Sequence, residues 1–329
     1  MGLPTFLQIE PVGQCNLRCT MCALQFREDG PPNGPPAFMD YALYLRMLDE
    51  CPSARELQLQ GLGEPLMHPR FFDMVREAKR RGLLVSTNSN ATLINERRAQ
   101  ECVDSGLDRM QISIDGATPG TYERIRQRSH FDRVVANTHR LVQTRDRAHS
   151  RTPELQMVAV LMRQNLHELP ALVRLAADLG MAGLFVQHLA HAFAEETLPA
   201  RYGPMRDFVD RQTVLGEDPA LVAEWFHKTE AEAHRCQLAL RLPDISGALP
   251  RTSEHRCQWP WTGGYVSYQG LAMPCCMVGT PDRATLGDLR RGTFVDVWEG
   301  EQYRDFRLRL DSPDPPDICR SCAVYRGTF

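Results

Sequence analysis

The sequence predicts an α/β fold, a partial (βα)6 barrel followed by a small C-terminal α+β domain. Three observations predict it. Six short apolar runs rich in Val, Ile or Leu alternate with amphipathic runs of helical period, and such alternation builds a parallel sheet with right-handed crossovers. The 329 residues exceed what one barrel of roughly 200 to 250 residues needs. After Arg251 the composition turns to aromatics, Gly, Pro and five cysteines, which marks a second unit.

In chain order, strand-like runs cover residues 6–10, 56–60, 83–87, 109–114, 155–162 and 183–189, each short and apolar. Between them, residues 41–50, 69–80, 95–105, 131–145 and 166–179 place apolar side chains at helical intervals. In such a TIM-like partial barrel, chemistry is expected in the loops after the strands' C-terminal ends. From about 202 to 240 the pattern becomes helical and charged, and Val222, Trp225, Phe226 and Glu230-Ala-Glu-Ala suggest one long helix. Residues 265–274 alternate around a Gln-Gly turn and read as a hairpin. The division is therefore 1–200 for the barrel, 201–240 for a helical connection and 241–329 for the second domain.

Composition removes several function classes. A net charge of -3 offers no bulk basic field, so nucleic acid is not an expected partner. No apolar run approaches the roughly 18 residues of a membrane helix. The N-terminal Met-Gly-Leu-Pro-Thr-Phe lacks the basic and long apolar regions of an export signal, so a cytoplasmic protein with reduced thiols is expected. In that setting 11 cysteines, an odd number, point to metal ligands rather than full pairing.

Cys15, Cys19 and Cys22 form C-x3-C-x2-C directly after the first strand. Three thiolates so close can converge on one centre. Zinc would need a distant fourth ligand, whereas a four-iron cluster would keep one iron open to a small molecule. Further polar loops follow later strands: Gly63-Glu64-Pro65, Thr87-Asn88-Ser-Asn90 and Ser113-Ile-Asp115-Gly116. A second group comprises Cys257, Cys275 and Cys319-Arg-Ser-Cys322, which as a bare pattern suits zinc or iron-sulfur equally.

The segment Cys15-Asn-Leu-Arg-Cys19-Thr-Met-Cys22, with these loops in order behind it, resembles the radical S-adenosylmethionine (SAM) enzymes. Met21 stands where that family often has an aromatic residue, and its apolar, polarizable side chain suits packing against adenine. The resemblance implies a [4Fe-4S] cluster on Cys15, Cys19 and Cys22, with SAM chelating the open iron and cleaved by reduction to a 5′-deoxyadenosyl radical. It further implies that Glu64 and the Gly63 backbone hold the methionyl ammonium. Pro65, Asn88 and Asp115 join the cofactor-binding loops, Ser113 reaches the ribose or carboxylate, and Arg126 pairs with the carboxylate.

The C-terminal pattern resembles the SPASM and twitch extensions of such enzymes, as does the tail Leu286-Gly-Asp-Leu289 with Phe294, Val297, Trp298, Tyr303 and Phe306. That resemblance implies one auxiliary [4Fe-4S] cluster on Cys257, Cys275, Cys319 and Cys322. Of the remaining cysteines, Cys51 and Cys102 read as buried structural thiols. Cys236 and Cys276 are candidate hydrogen-atom donors, and His188 and His191 candidate substrate contacts.

The implied reaction is removal of a hydrogen atom from a small polar metabolite, such as a sugar, aminocyclitol or nucleoside of antibiotic-type secondary metabolism. The auxiliary cluster would accept the second electron, giving oxidation, and a flavodoxin- or ferredoxin-type donor would supply the first. The alternatives are an epimerase using Cys276 or Cys236, a peptide-modifying enzyme, and a zinc-stabilised binding protein. With the first cysteine at position 15, no N-terminal leader-binding domain is expected.

Overall fold

Six parallel strands run in chain order through the sheet, each hydrogen-bonded to the next, as the alternating pattern requires. The computed structural model describes residues 2–28, 37–190, 192–244 and 257–329. Its strands are β1 (Phe6–Ile9), β2 (Arg18–Cys19), β3 (Glu56–Leu59), β4 (Leu84–Ser89), β5 (Arg109–Ser113), β6 (Arg126–Gln127), β7 (Glu154–Val160), β8 (Gly183–Gln187), β9 (Ala239–Arg241), β10 (Gly263–Val266), β11 (Leu271–Met273) and β12 (Gly287–Asp288). The large sheet has the order β12-β11-β10-β1-β3-β4-β5-β7-β8-β9, while β2 and β6 form a separate antiparallel ribbon.

Helices α1 (Tyr41–Glu50), α2 (Phe71–Arg80), α3 (Glu96–Asp104), α4 (Pro119–Ile125), α5 (Phe131–Arg147) and α6 (Leu169–Asp178) fill the crossovers. Side-chain caps start several of them. Asp40 accepts from the Leu43 N–H at 2.7 Å, and Asn95 from the Arg98 N–H at 2.9 Å, each satisfying an otherwise orphaned donor. Their apolar faces bury Tyr44, Met47, Met74, Val75, Ala99 and Leu172 against strand residues such as Leu7, Leu57, Val85, Ile112 and Met157.

The long helix expected near 202 to 240 is two helices, α7 (Gly203–Gln212) and α8 (Pro219–Cys236). The break lies at Thr213 to Asp218, where Asp218 caps α8 through the Ala220 N–H and Pro219 occupies its first position. No helix among the described residues is long and apolar enough to cross a membrane.

The expected hairpin is β10 and β11, and it does not stand apart. β10 pairs in parallel with β1, Phe6 opposite Gly263 and Ile9 opposite Val266, so the C-terminal region continues the barrel sheet. Helix α9 (Trp259–Thr262) precedes β10, and α10 (Phe294–Trp298), α11 (Glu301–Asp311), α12 (Asp317–Arg320) and α13 (Ala323–Arg326) follow β12. Trp298 donates to Gly2 O at 3.1 Å, Tyr303 to Met273 O at 3.1 Å, and the Phe294 N–H to Glu50 at 2.6 Å. The aromatic tail thereby anchors this region on the N-terminus and on α1.

Candidate functional site

The three-thiol loop leaves β1 and is shaped by close backbone approaches. A Cβ on Gly63 would stand 2.1 Å from Val12 O and 2.7 Å from Gln14 O, so only glycine lets the loop after β3 lie against the cysteine loop. Beside it the Glu64 N–H donates to Gln14 O at 3.0 Å. On the other flank a Cβ on Gly13 would meet the Tyr268 ring at 2.4 Å. Cys19 lies on β2 in register with Arg126 of β6, and Cys22 precedes a 3-10 turn at Ala23–Phe26.

Glu64 ties these loops together. Its Oε1 accepts from Ser89 Oγ at 2.8 Å and the Leu66 N–H at 3.3 Å, and its Oε2 from the Asn90 N–H at 2.9 Å. Burial pushes its carboxyl up, against the pull of those hydrogen bonds. Asn90 reaches on, donating through Nδ2 to Cys15 Sγ at 3.6 Å and to Asn16 Oδ1 at 3.0 Å. The Leu17 N–H also points at Cys15 Sγ, at 3.4 Å. Burial pushes all three thiols up, Cys19 to about 12. Such thiols are neutral until a metal displaces their protons, and N–H donors aimed at sulfur suit an anionic thiolate centre.

One cavity of about 280 Å³ gathers the predicted residues. Cys15, Cys19, Cys22, Met21, Gly63, Glu64, Asn88, Ser113 and Arg126 line it, and so does Cys276. Arg126 is buried, its Nε lies 2.6 Å from Asp115 Oδ2, and its Nη1 lies 3.9 Å from Cys19 Sγ. The lining also has an apolar share, contributed by Val160, Leu189, Phe193, Met205, Val209 and Val278.

Several expectations need correction. Asp115 does not reach the cavity: fully buried, its carboxylate meets Arg126 and the Val160 N–H at 2.7 Å. Pro65 does not line the cavity either and opens the short turn Pro65–Met67. Cys236 ends α8 on the outer layer, where α8 packs on α6, and its Sγ faces Glu232 at 3.6 Å. His188 packs beside Thr213 at 3.2 Å, outside the lining, and burial holds it down to about 4. His191 lies outside the described residues. Cys51 and Cys102 are buried.

The C-terminal thiols act on one another electrostatically, although among the described residues no three His, Cys, Asp or Glu side chains are grouped closely enough to hold a metal ion as they stand. Burial pushes Cys275 well above the usual range, and Cys276, Cys322, Cys257 and Cys319 all add to the effect. Cys257 rises to about 11 and Cys276 to about 12, again mainly through burial. Cys319 and Cys322 share one turn, closed by Cys322 N–H to Cys319 O at 3.1 Å. That turn docks on the loop after β8: the Ala323 N–H donates to Ala190 O at 3.1 Å, and the Ala192 N–H to Ser321 O at 3.3 Å. A thiol-only donor set of this kind suits an iron-sulfur cluster.

Residues 9–176 match the family model of the radical SAM superfamily, and residues 257–323 match an iron-sulfur cluster-binding domain. The chain belongs to the radical SAM superfamily and carries a SPASM-type C-terminal domain. Among known proteins it is similar to the tungsten-containing aldehyde ferredoxin oxidoreductase cofactor-modifying protein of Pyrococcus furiosus, at 28% identity over 97% of this chain and 87% of the relative. It is also similar to the PqqA peptide cyclase of Ruegeria pomeroyi, at 25% over 97% of this chain and 79% of the relative. In fold it matches Streptococcus suis SuiB bound to S-adenosylmethionine, with a TM-score of 0.71 at 14% identity over 99% of this chain and 72% of SuiB. The two domains indicate a SAM-binding [4Fe-4S] cluster and an auxiliary iron-sulfur cluster.

Proposed function

We propose that this radical SAM enzyme oxidises a small metabolite held in the cavity, by removing a hydrogen atom from one of its carbons. The observation that carries the reading is the cavity itself, whose lining takes in Cys15, Cys19 and Cys22 together with Cys276 to Gly279, the segment following Cys275. With its groups bound, the site would supply a 5′-deoxyadenosyl radical that takes a hydrogen atom and an auxiliary cluster that takes the remaining electron, while a proton leaves to solvent, so the product is two hydrogens lighter than the substrate.

In this assignment Cys15, Cys19 and Cys22 hold the SAM-binding cluster, and Cys257, Cys275, Cys319 and Cys322 the auxiliary one. The Gly63 main chain, Asn88, Ser113 and Arg126 face SAM, while Glu64 keeps the loops of β3 and β4 in place. The apolar wall of Phe193, Met205 and Val209 shields the reacting carbon from water. It also narrows the sugar-like expectation toward a metabolite with a hydrocarbon face. The Pyrococcus relative, named for modifying a cofactor, favours a small molecule, and the peptide cyclases mark the peptide alternative. A flavodoxin- or ferredoxin-type protein would supply the electron.

One observation favours a second outcome. Cys276 lines the cavity, so a thiol there could return a hydrogen atom and give epimerisation. The experiment is anaerobic turnover in deuterated water with candidate metabolites. Oxidation gives a product two hydrogens lighter without solvent label, whereas deuterium at the product carbon overturns it in favour of epimerisation. Cys15→Ala, Cys19→Ala and Cys22→Ala should each abolish 5′-deoxyadenosine formation, and a zinc-loaded protein without iron or sulfide would sink the whole assignment.

A further inference from the structure

A buried ion pair stands between the cavity and the C-terminal thiols. Arg283 and Glu195 have side chains only 2% and 3% exposed, and Arg283 Nε donates to Glu195 Oε1 at 2.9 Å. Arg283 lines the cavity, donates through Nη1 to Val278 O at 2.9 Å, and lies 4.5 Å from the Phe193 ring centre. Glu195 belongs to the loop that docks on the Cys319 turn. On its two sides the Ala192 N–H reaches Ser321 O at 3.3 Å, and the Glu196 N–H reaches Asp317 at 2.6 Å. Arg206 fixes the same loop, donating to Phe193 O at 2.6 Å and Glu195 O at 3.3 Å.

We infer that Arg283, held by Glu195, is a positioning residue whose charge sets the reduction potential of the auxiliary cluster while its guanidinium fixes the Val278 wall of the cavity. An ion pair this deep is poorly screened by solvent, so its field reaches the neighbouring sulfurs. Charges near an iron-sulfur centre move its potential, because the reduced cluster is the more negative state. The loop that carries Glu195 is hydrogen-bonded to the Cys319 turn on both sides of that residue, which sets the pair beside two of the four assigned ligands. The two charges therefore act with opposite sign on one cluster site. The inference rests on Cys257, Cys275, Cys319 and Cys322 being the auxiliary ligands.

The test is an EPR-monitored redox titration of the full chain carrying Cys15→Ala, Cys19→Ala and Cys22→Ala, which isolates the auxiliary cluster. Within that background, Glu195→Gln leaves a lone positive charge and should move the potential upward. Arg283→Gln leaves the Glu195 carboxylate without its cation and should move it downward, so the two variants split around the parent. Arg283→Lys, which keeps the charge, should stay near the parent even if cavity packing changes. Equal potentials in Glu195→Gln and Arg283→Gln, or the reverse order, overturn the inference. Absence of iron and sulfide from the triple-alanine parent overturns the ligand assignment first, and the inference with it.

Discussion

Arg27 and Glu10 meet in a bidentate ion pair that solvent does not reach, with Nη1 to Oε1 at 2.8 Å, Nη2 to Oε2 at 3.2 Å and both side chains fully buried. Glu10 follows β1, and Arg27 follows the turn after Cys22, so the pair closes the three-thiol loop at its base. The same carboxylate accepts from the Leu62 N–H at 3.1 Å and the Tyr268 N–H at 3.3 Å. One side chain thus joins the cysteine loop, the loop after β3 and the C-terminal hairpin.

Removing one partner strands the other. Arg27→Met leaves Glu10 buried without its cation, and the expected loss is about 3–5 kcal/mol of unfolding free energy. Urea denaturation monitored by circular dichroism measures it. A loss below about 1 kcal/mol, the range of exposed pairs, would show that the clasp is dispensable.

Gly63→Ala tests the approach of two loops. The new Cβ would strike Val12 O and Gln14 O, displacing the loop that flanks the cysteines. A misplacement near 1 Å costs on the order of 100-fold in rate. The readout is the rate of 5′-deoxyadenosine release, with circular dichroism confirming that the fold survives. A rate within threefold of the parent would contradict the geometry.

His188 makes stability fall in acid. Its ordinary value of 6.5 drops to about 4 through burial, so the unfolded chain takes up a proton as pH falls through 6.5 while the native chain stays neutral. Stability from this group is complete above pH 6.5 and is lost on the way down to about pH 4. The loss is about 3 kcal/mol. His188→Gln should remove that slope, and parallel pH–stability curves for the two proteins would refute it.

Cys276 and Cys236 separate cleanly. Cys276 lines the cavity, so Cys276→Ala should change the partition between oxidised and solvent-labelled product. Cys236 sits at the outer end of α8, and Cys236→Ala should leave both products and the rate within twofold. Mass spectrometry of turnover in deuterated water reads both variants.

Much of this site was legible from spacing. Period and apolar runs located the six barrel strands, whose C-terminal ends bring Asn88 and Ser113, and the loop after β3 Gly63, to the cavity. Tertiary partners were not legible. Arg126 is expected to pair with the cofactor's carboxylate, and nothing in the spacing shows that the carboxylate it meets in the folded chain is that of Asp115. Asp115 shares a motif with Ser113, but it lies past the end of β5, where its carboxylate meets Arg126 and the Val160 N–H, and of the two only Ser113 lines the cavity. Phe193, Met205 and Arg283 carry no local signal, because they meet only when the loop after β8 and the C-terminal region fold together.

The pairing of β10 with β1 also sets an order of events. Residue 6 cannot complete its hydrogen bonds until residue 263 has left the ribosome. Until then the first barrel strand is an open edge, available to the wrong partner, and Gly13 lacks the Tyr268 ring that covers it. The cysteines made first are thus housed last, so delivery of iron and sulfide to a finished pocket must follow synthesis of nearly the whole polypeptide.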